Sequence, residues 1–353
     1  MKHIRISWCQ YLKMMLAIHK SNTGFHPLWK SYCDENNIAY KLVDCYDNDI
    51  IEQLQDCNAL MFHFHQSSSK DIVMAKQLLF ALAQSGLTVF PNFNTAWHFD
   101  DKVGQKYLLE ALGIDLVNTW VFYDEKTSLE WINETTFPKV FKLRGGAGSQ
   151  NVQLVRSKEN AKQLVRKAFG RGFPAYYAWG SLKERYRKWR NGDAPFMEIV
   201  KGSLRLVKPP HYARVMGREI NYLYFQEFIA NNDSDSRIIV IDGKAFGIKR
   251  MNRENDFRAS GSGTILYSKD DIDTVFVKAA FDIHKKIKAQ CVAYDFVYDE
   301  KKKPLLIEIS YGFANSGYDD CPGYWDEQLK WHGGKFNPYG WMIDLVLKQV
   351  NEK

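Results

Sequence analysis

Two hydrophobic periods alternate along this chain, one near 2 and one near 3.6, and their succession divides it. Through residues 1–95, short apolar runs alternate with helical patterns. Residues 4–8 read as a strand, 25–36 as a helix, and 39–43 and 59–64 as strands. Residues 71–84 follow as a helix with Ile72, Ala75, Leu78, Leu79 and Leu82 on one face, then a short strand at 88–91. Strands separated by helices predict a small parallel α/β domain.

A second pattern begins with a helix N-capped by Asp100, with Val103, Tyr107, Leu108, Ala111 and Leu112 predicted inward. Residues 120–123, 138–143 and 152–155 read as strands, the last two flanking a glycine-rich loop. Residues 157–169 form a helix with Ala161, Leu164, Val165 and Ala168 on one face. Residues 175–222 have no regular period. Strands return at 222–228, 237–241 and 245–250, then a helix at 272–289, strands at 292–298 and 305–310, and a last helix at 341–350. The expected division is 1–95, 96–174, a basic aromatic insertion at 175–222, and 223–353.

The length of 353 residues suits two or three domains. A net charge of +7 favours anionic ligands without naming one. The charge is uneven: between Lys183 and Arg218 ten Lys and Arg face only Glu184, Asp193 and Glu198. The six cysteines include no CxxC pair and no zinc spacing, so free thiols of a reducing compartment are expected. No signal peptide is read at the N-terminus, and no apolar run approaches the roughly 20 residues of a membrane helix. A cytoplasmic protein is expected, with a basic face able to rest on the inner membrane surface.

Two segments carry candidate chemistry. KLRGGAGS at 142–149 puts Gly145, Gly146 and Gly148 between two strands, where backbone N–H groups can turn toward an anion. Lys142 projects beside that loop as a point charge for phosphate. The segment is neither a Walker A loop nor a dinucleotide fingerprint, and taken alone it is equally a flexible hairpin turn. The second segment is a hairpin of AYDFVY at 293–298 and LLIEIS at 305–310. Alternation puts Leu306, Glu308 and Ser310 on one face, with Leu305, Ile307 and Ile309 toward a core. If Tyr298 pairs with Leu305, Asp295 lies across from Glu308 with Cβ atoms about 5 Å apart. Two carboxylates that close favour a cation between them, and oxygen ligands with open positions suit Mg²⁺. The alternative is an exposed face on which two acids tolerate each other.

Taken in order, these pieces resemble the ATP-grasp superfamily, specifically its RimK/glutathione-synthetase-like carboxylate-amine ligases, over roughly residues 88–310. The resemblance rests on PNFN at 91–94 with Asp101 and Lys102, on the strand with Lys142 and its glycine loop, and on FQEFI at 225–229. It continues through DSR at 235–237, Gly243, Lys249 and Arg250, then DFRAS at 256–260 with Gly261 and Gly263, and ends at Asp295, thirteen residues before Glu308 in EIS. It implies α/β and α+β architecture, a small parallel N-terminal domain followed by a two-subdomain ATP-grasp fold with antiparallel sheets. It implies ATP as cofactor, with Lys102 and Lys142 on its phosphates and backbone groups of Glu227 and Phe228 at the adenine edge. Asp235 would approach the ribose or adenine side, Arg258 and Ser260 the phosphates, and Arg250 the transferred phosphoryl group. Asp295, Glu308 and Ser310 would carry Mg²⁺, as one or two ions, with Mn²⁺ able to substitute. Serine stands at 310 where the family usually has asparagine, and the 175–222 stretch is longer and more basic than usual.

The implied activity is ADP-forming ligation of a carboxylate to an amine through an acyl phosphate, for instance an amino acid added to an acidic sugar or surface-polysaccharide precursor. His63, His65 and His211 are the candidates for a general base. The aromatics from Tyr311 to Trp341 either stack on a sugar or pack the C-terminal tail onto the core. A homodimer is compatible with this reading. The rivals are a small-molecule kinase on the same fold and a basic nucleic-acid-binding protein. The latter leaves the carboxylate hairpin unexplained.

Overall fold

The computed structural model describes residues 14–145, 151–190, 192, 194–252, 258 and 264–353, except the side chain of Lys188. Strands β1 (Leu16–His19), β2 (Tyr40–Val43), β3 (Ala59–Met61) and β4 (Thr88–Phe90) form an all-parallel sheet in the order β2-β1-β3-β4. Helices α1 (His26–Glu35) and α2 (Ser69–Gln84) make the crossovers before β2 and β4. Every residue of β1, β3 and β4 is buried, as parallel strands covered on both faces require. Sequence periodicity missed β1, a run of four residues too short to carry a period; the strand expected at 4–8 lies outside the described residues. On α2 the expected face holds, with Ala75, Leu79 and Leu82 buried and Ser68 capping the helix by accepting from the Asp71 N–H.

Helix α3 (Lys102–Ala111) corrects the second expectation. Its cap is Asp101, which accepts from the Gly104 N–H. Its buried positions are Lys102, Gln105 and Leu109, whereas Tyr107 and Ala111 are exposed. The inward face is polar because it borders a cleft: Gln105 Oε1 accepts from the Ile309 N–H at 3.2 Å. Of the expected face, Leu108 and Leu112 do pack against the core that holds Leu109, Ile238 and Val292, so hydrophobicity found one side of the helix and missed the side toward the cleft.

Strands β5 (Thr119–Phe122), β6 (Lys139–Lys142) and β7 (Val152–Val155) join β10 (Leu223–Glu227) in an antiparallel sheet ordered β5-β10-β6-β7. Helices α4 (Glu125–Glu134) and α5 (Lys158–Phe169) accompany this sheet. Ala161, Leu164, Val165 and Ala168 are buried on α5, the expected set, in a core with Phe141, Leu223 and Phe225. Strand β10 sits centrally here, although it follows the insertion in sequence.

The insertion is helical rather than irregular. Strands β8 (Phe173–Pro174) and β9 (Arg218–Glu219) pair at its base. Between them run α6 (Ala178–Arg190), α7 (Met197–Val207) and α8 (His211–Met216). An Arg185–Glu198 ion pair joins α6 to α7, and Leu182 and Arg185 lie over Gly202. Many of its apolar residues face solvent, although on α7 Met197, Val200, Leu204 and Val207 do recur at helical steps.

The third sheet runs β15-β14-β11-β12-β16-β17, with β13 (Ile265–Leu266) on β12. It contains β11 (Ser234–Ile241), β12 (Lys244–Met251), β14 (Cys291–Tyr298), β15 (Pro304–Ser310), β16 (Gly323–Asp326) and β17 (Trp331–Gly333). Helix α9 (Thr274–Ile287) shares one core with Ile238, Val292 and Ile309. Helix α10 (Pro338–Asn351) shares another with α1, β1 and the opposite face of this sheet. Tyr311, Phe313, Tyr318, Trp325 and Tyr339 are buried, so these aromatics of the C-terminal tail are core side chains. Tyr311 donates its hydroxyl to the Phe64 carbonyl at 2.7 Å and ties the tail to the first sheet.

The β14–β15 register pairs Asp295 with Glu308 and Ala293 with Ser310. The premise behind that expectation was off by one residue, since Tyr298 pairs with Pro304. An irregularity between Asp295 and Phe296 absorbs the difference. Leu306 is accordingly fully buried in the α9 core, beside Ile309, and does not share the Glu308 face.

Candidate active site

One cleft of about 540 Å³ lies among the three sheets. Its lining includes Lys102, Lys142, Glu227, Phe228, Asp235, Arg250, Arg258, Asp295, Glu308 and Ser310. Gly145 lines a smaller pocket beside it, sharing Gln66 and Asp100 with the cleft. Gly146, Gly148 and Ser260 lie outside the described residues.

At one end Val117, Val140, Val152, Phe228 and Ile307 give the cleft apolar walls. The Glu227 carboxylate bonds Lys139 Nζ at 2.9 Å, and the Glu227 N–H donates to the Asn118 carbonyl at 2.8 Å. A flat apolar ring fits between such walls with hydrogen-bonding groups at its edge.

Toward the middle the cleft becomes cationic. Lys142 ends β6, and its ammonium donates to Gln226 Oε1 on neighbouring β10 at 2.6 Å. Burial pushes its pKa down to about 8, against the pull of Glu308 and Asp295. Lys102 Nζ lies 3.9 Å from Glu308 Oε2. Gln226 continues the network, donating to Thr119 Oγ1 and the Ile307 carbonyl, both at 3.3 Å.

Strand register builds the next layer. Asp235 lies opposite Arg250, and Arg237 opposite Asp295. Arg250 forms two 2.6 Å bonds with Asp235. Arg237 grips Asp295 at 2.5 and 2.6 Å, and Arg250 reaches the same carboxylate at 3.0 Å. Burial alone would raise the Asp295 pKa; Arg237 and Arg250 overcome it and hold the carboxylate well below its ordinary range. Arg237 and Gln226 were not named as site residues from sequence. The signal for Arg237 was its spacing of two from Asp235, which puts both on one strand face.

This layer also tests the fit to a cation. Asp295 and Glu308 lie opposite each other, but three guanidinium bonds occupy most of the acceptor capacity of Asp295. Glu308 is partly exposed, and the Ser310 hydroxyl donates to the Gly312 carbonyl at 2.8 Å. Among the described residues no three His, Cys, Asp or Glu side chains gather as a complete cation cage. The donors are all oxygen with few protein ligands, which matches Mg²⁺ held by one or two carboxylates, waters and nucleotide phosphates.

His63, His65 and Gln66 follow β3 and line the opposite end with Phe99, Gly312 and Phe313. His63 stacks on Phe25 at 3.7 Å and accepts from the Phe25 N–H through Nδ1 at 3.0 Å. Its neutral ring therefore carries the proton on Nε2, and burial pushes its pKa well below the usual value. His65 Nε2 is buried without a hydrogen-bond partner among the described residues. His211 is exposed on α8 and does not line the cleft, so of the three imidazoles only His63 and His65 border it.

A cationic cleft lined by a four-stranded and a seven-stranded antiparallel sheet, beside a parallel N-terminal sheet, is the arrangement of the ATP-grasp fold. The likeness extends to solved structures. A RimK domain protein ATP-grasp from Sphaerobacter thermophilus superposes with a TM-score of 0.54 at 14% identity, covering 94% of this chain and 99% of that one. D-alanine–D-alanine ligase from Bacillus anthracis gives 0.52 at 14% identity, covering 96% and 98%. D-cycloserine synthetase gives 0.55 at 12% identity, covering 95% and 99%. Residues 208–319, which contain Arg237, Arg250, Asp295 and Glu308, match the family described as the RimK-like ATP-grasp domain. None of the curated proteins compared with this chain matches it in sequence. The chain thus resembles ATP-grasp proteins in fold along its length, and in sequence over residues 208–319.

Proposed function

We propose that this protein is an ATP-dependent carboxylate-amine ligase that forms ADP. The observation that carries the reading is the sequence of environments along one cleft. An apolar slot is followed by Lys102, Lys142, Arg250 and Arg258, then by Glu308, and then by a histidine-lined end. ATP would lie with its base in the slot and its phosphates on the cations. Glu308, Ser310 and the remaining acceptor capacity of Asp295 would hold Mg²⁺, which when bound neutralises phosphate charge. A substrate carboxylate at the His63 end would attack the γ-phosphorus, and ADP would leave. The amine nitrogen would then attack the acyl carbon, releasing phosphate and losing a proton. Arg250 and Arg258 would stabilise charge on the transferring group, and the buried cleft would keep water from the acyl phosphate.

The names of the similar structures support ligase chemistry, since two are a D-alanine–D-alanine ligase and a D-cycloserine synthetase. For the acid we propose an acidic sugar or surface-polysaccharide precursor, and for the amine an amino acid. The basic helices beside the Gln66 end favour an anionic substrate. The test is nucleotide turnover screened against pools of amino acids and uronic-acid sugars, with products separated by chromatography. ADP and phosphate that depend on both substrates support the reading. AMP and pyrophosphate overturn it, and a stable phosphorylated acid formed without amine would instead identify a kinase.

A further inference from the structure

We propose that the helices of the insertion dock this protein on an anionic membrane surface. On α7, Met197, Val200, Leu204 and Val207 recur at steps of three, four and three, which aligns them on one helix face. They are 59%, 39%, 67% and 90% exposed. On α6, Trp179 and Tyr186 stand two turns apart, 66% and 51% exposed. Single exposed apolar residues are ordinary, but an aligned row of them marks an interaction surface. The row is not a face the hairpin needs for itself: α6 and α7 meet through Arg185, Glu198, Leu182 and Gly202.

Charge decides what covers it. Residues 178–216 hold nine Lys and Arg against three Asp and Glu, a balance of +6 in a chain whose total is +7. Lys201 follows Val200 by one helical position, which sets it along the border of the stripe, and Lys208 caps the end of α7 just past Val207; both are exposed. Aliphatic side chains bordered by lysines are the chemistry of a helix lying in the headgroup layer, apolar face toward the acyl chains and ammonium groups toward anionic lipid. Tryptophan and tyrosine suit the same interface. A second copy of this surface would bring two balances of +6 together. A nucleic acid would use the stacking rings of α6 but has no use for the aliphatic row on α7. The helices continue into α8, whose Tyr212 and Met216 line the small pocket with Gln66, so docking would set the cleft's open end close to the lipid headgroups. This inference does not depend on which reaction the cleft performs.

The test is cosedimentation of the full chain with vesicles of phosphatidylcholine alone and of phosphatidylcholine mixed with phosphatidylglycerol, at low and high salt. The expected result is partition onto the mixed vesicles only, declining as salt rises. The double variants Leu204→Glu/Val207→Glu and Lys201→Glu/Lys208→Glu should each weaken partition about tenfold or more, with unchanged unfolding temperatures. Absence of partition at low salt overturns the proposal, as does wild-type partition by both variants. A dimer in solution that Leu204→Glu/Val207→Glu dissolves, or RNA binding without vesicle binding, also overturns it.

Discussion

Replacing Lys142 with methionine should make the empty protein more stable while removing its grip on nucleotide. The ammonium is buried, and its pKa falls from an ordinary 10.5 to about 8. That difference corresponds to about 3 kcal/mol spent at pH 7 on keeping the charge in the cleft. Methionine matches the length of the lysine stem but leaves Gln226 Oε1 without its 2.6 Å donor, which offsets about 1–2 kcal/mol. A net gain of about 1–2 kcal/mol is expected at pH 7. The pH dependence separates this cause from others. Between pH 8 and 10.5 the unfolded wild-type chain holds the proton and the folded chain does not, so wild-type stability rises with pH. At pH 9.5 the charge costs only about 1.4 kcal/mol, and the variant's advantage should shrink by about 2 kcal/mol. Urea unfolding of both proteins at pH 7 and 9.5 measures this directly. Equal pH profiles, or a variant less stable at pH 7, would refute the account of Lys142 as a desolvated cation.

Other expectations follow from the same contacts. Nucleotide phosphates should return Lys142 to its charged form, so ATP binding at pH 9 should take up protons. Titration calorimetry in buffers of different ionisation enthalpy would detect the uptake, and affinity should fall as pH rises above 8. The two facing carboxylates should behave differently. Glu308→Gln should leave stability nearly unchanged while lowering turnover about 10²–10³-fold and raising the Mg²⁺ requirement. Asp295→Asn should cost about 3–5 kcal/mol in urea unfolding, because it uncovers Arg237 and Arg250. Gly247→Ala should cost about 1–3 kcal/mol and weaken nucleotide binding, since its Cβ would lie 2.8 Å from the Arg237 carbonyl and 2.7 Å from Ile238 Cδ1. Thermal unfolding with and without ATP measures both effects.

The site was more legible than its supports. Lys142, Asp295 and Glu308 line one cleft as expected, but Glu308 faces Asp295 through the irregularity in β14–β15, since the turn register by itself would have set Ile307 there. Helix α3 followed the same reasoning only in part: Leu108 and Leu112 pack on an apolar core, while Lys102 and Gln105 are buried toward a polar cleft, where hydrophobicity is no guide. The insertion carried a readable period on α7, where Met197, Val200, Leu204 and Val207 recur at helical steps, but the face they make is exposed and marks no core. Arg237 was within reach of strand alternation. Its hold on Asp295 depends on the β11–β14 pairing, a contact between positions 58 apart that no local period encodes.

The irregularity in β14–β15 has a consequence for tolerance to change. Glu308 lies on the far side of it from the turn at 299–303, so three paired positions and the irregularity separate the turn from the Asp295–Glu308 pair. The length of that connection could therefore vary while Glu308 keeps its aim. An engineer could lengthen it to carry an epitope or a fused domain without re-registering the active site.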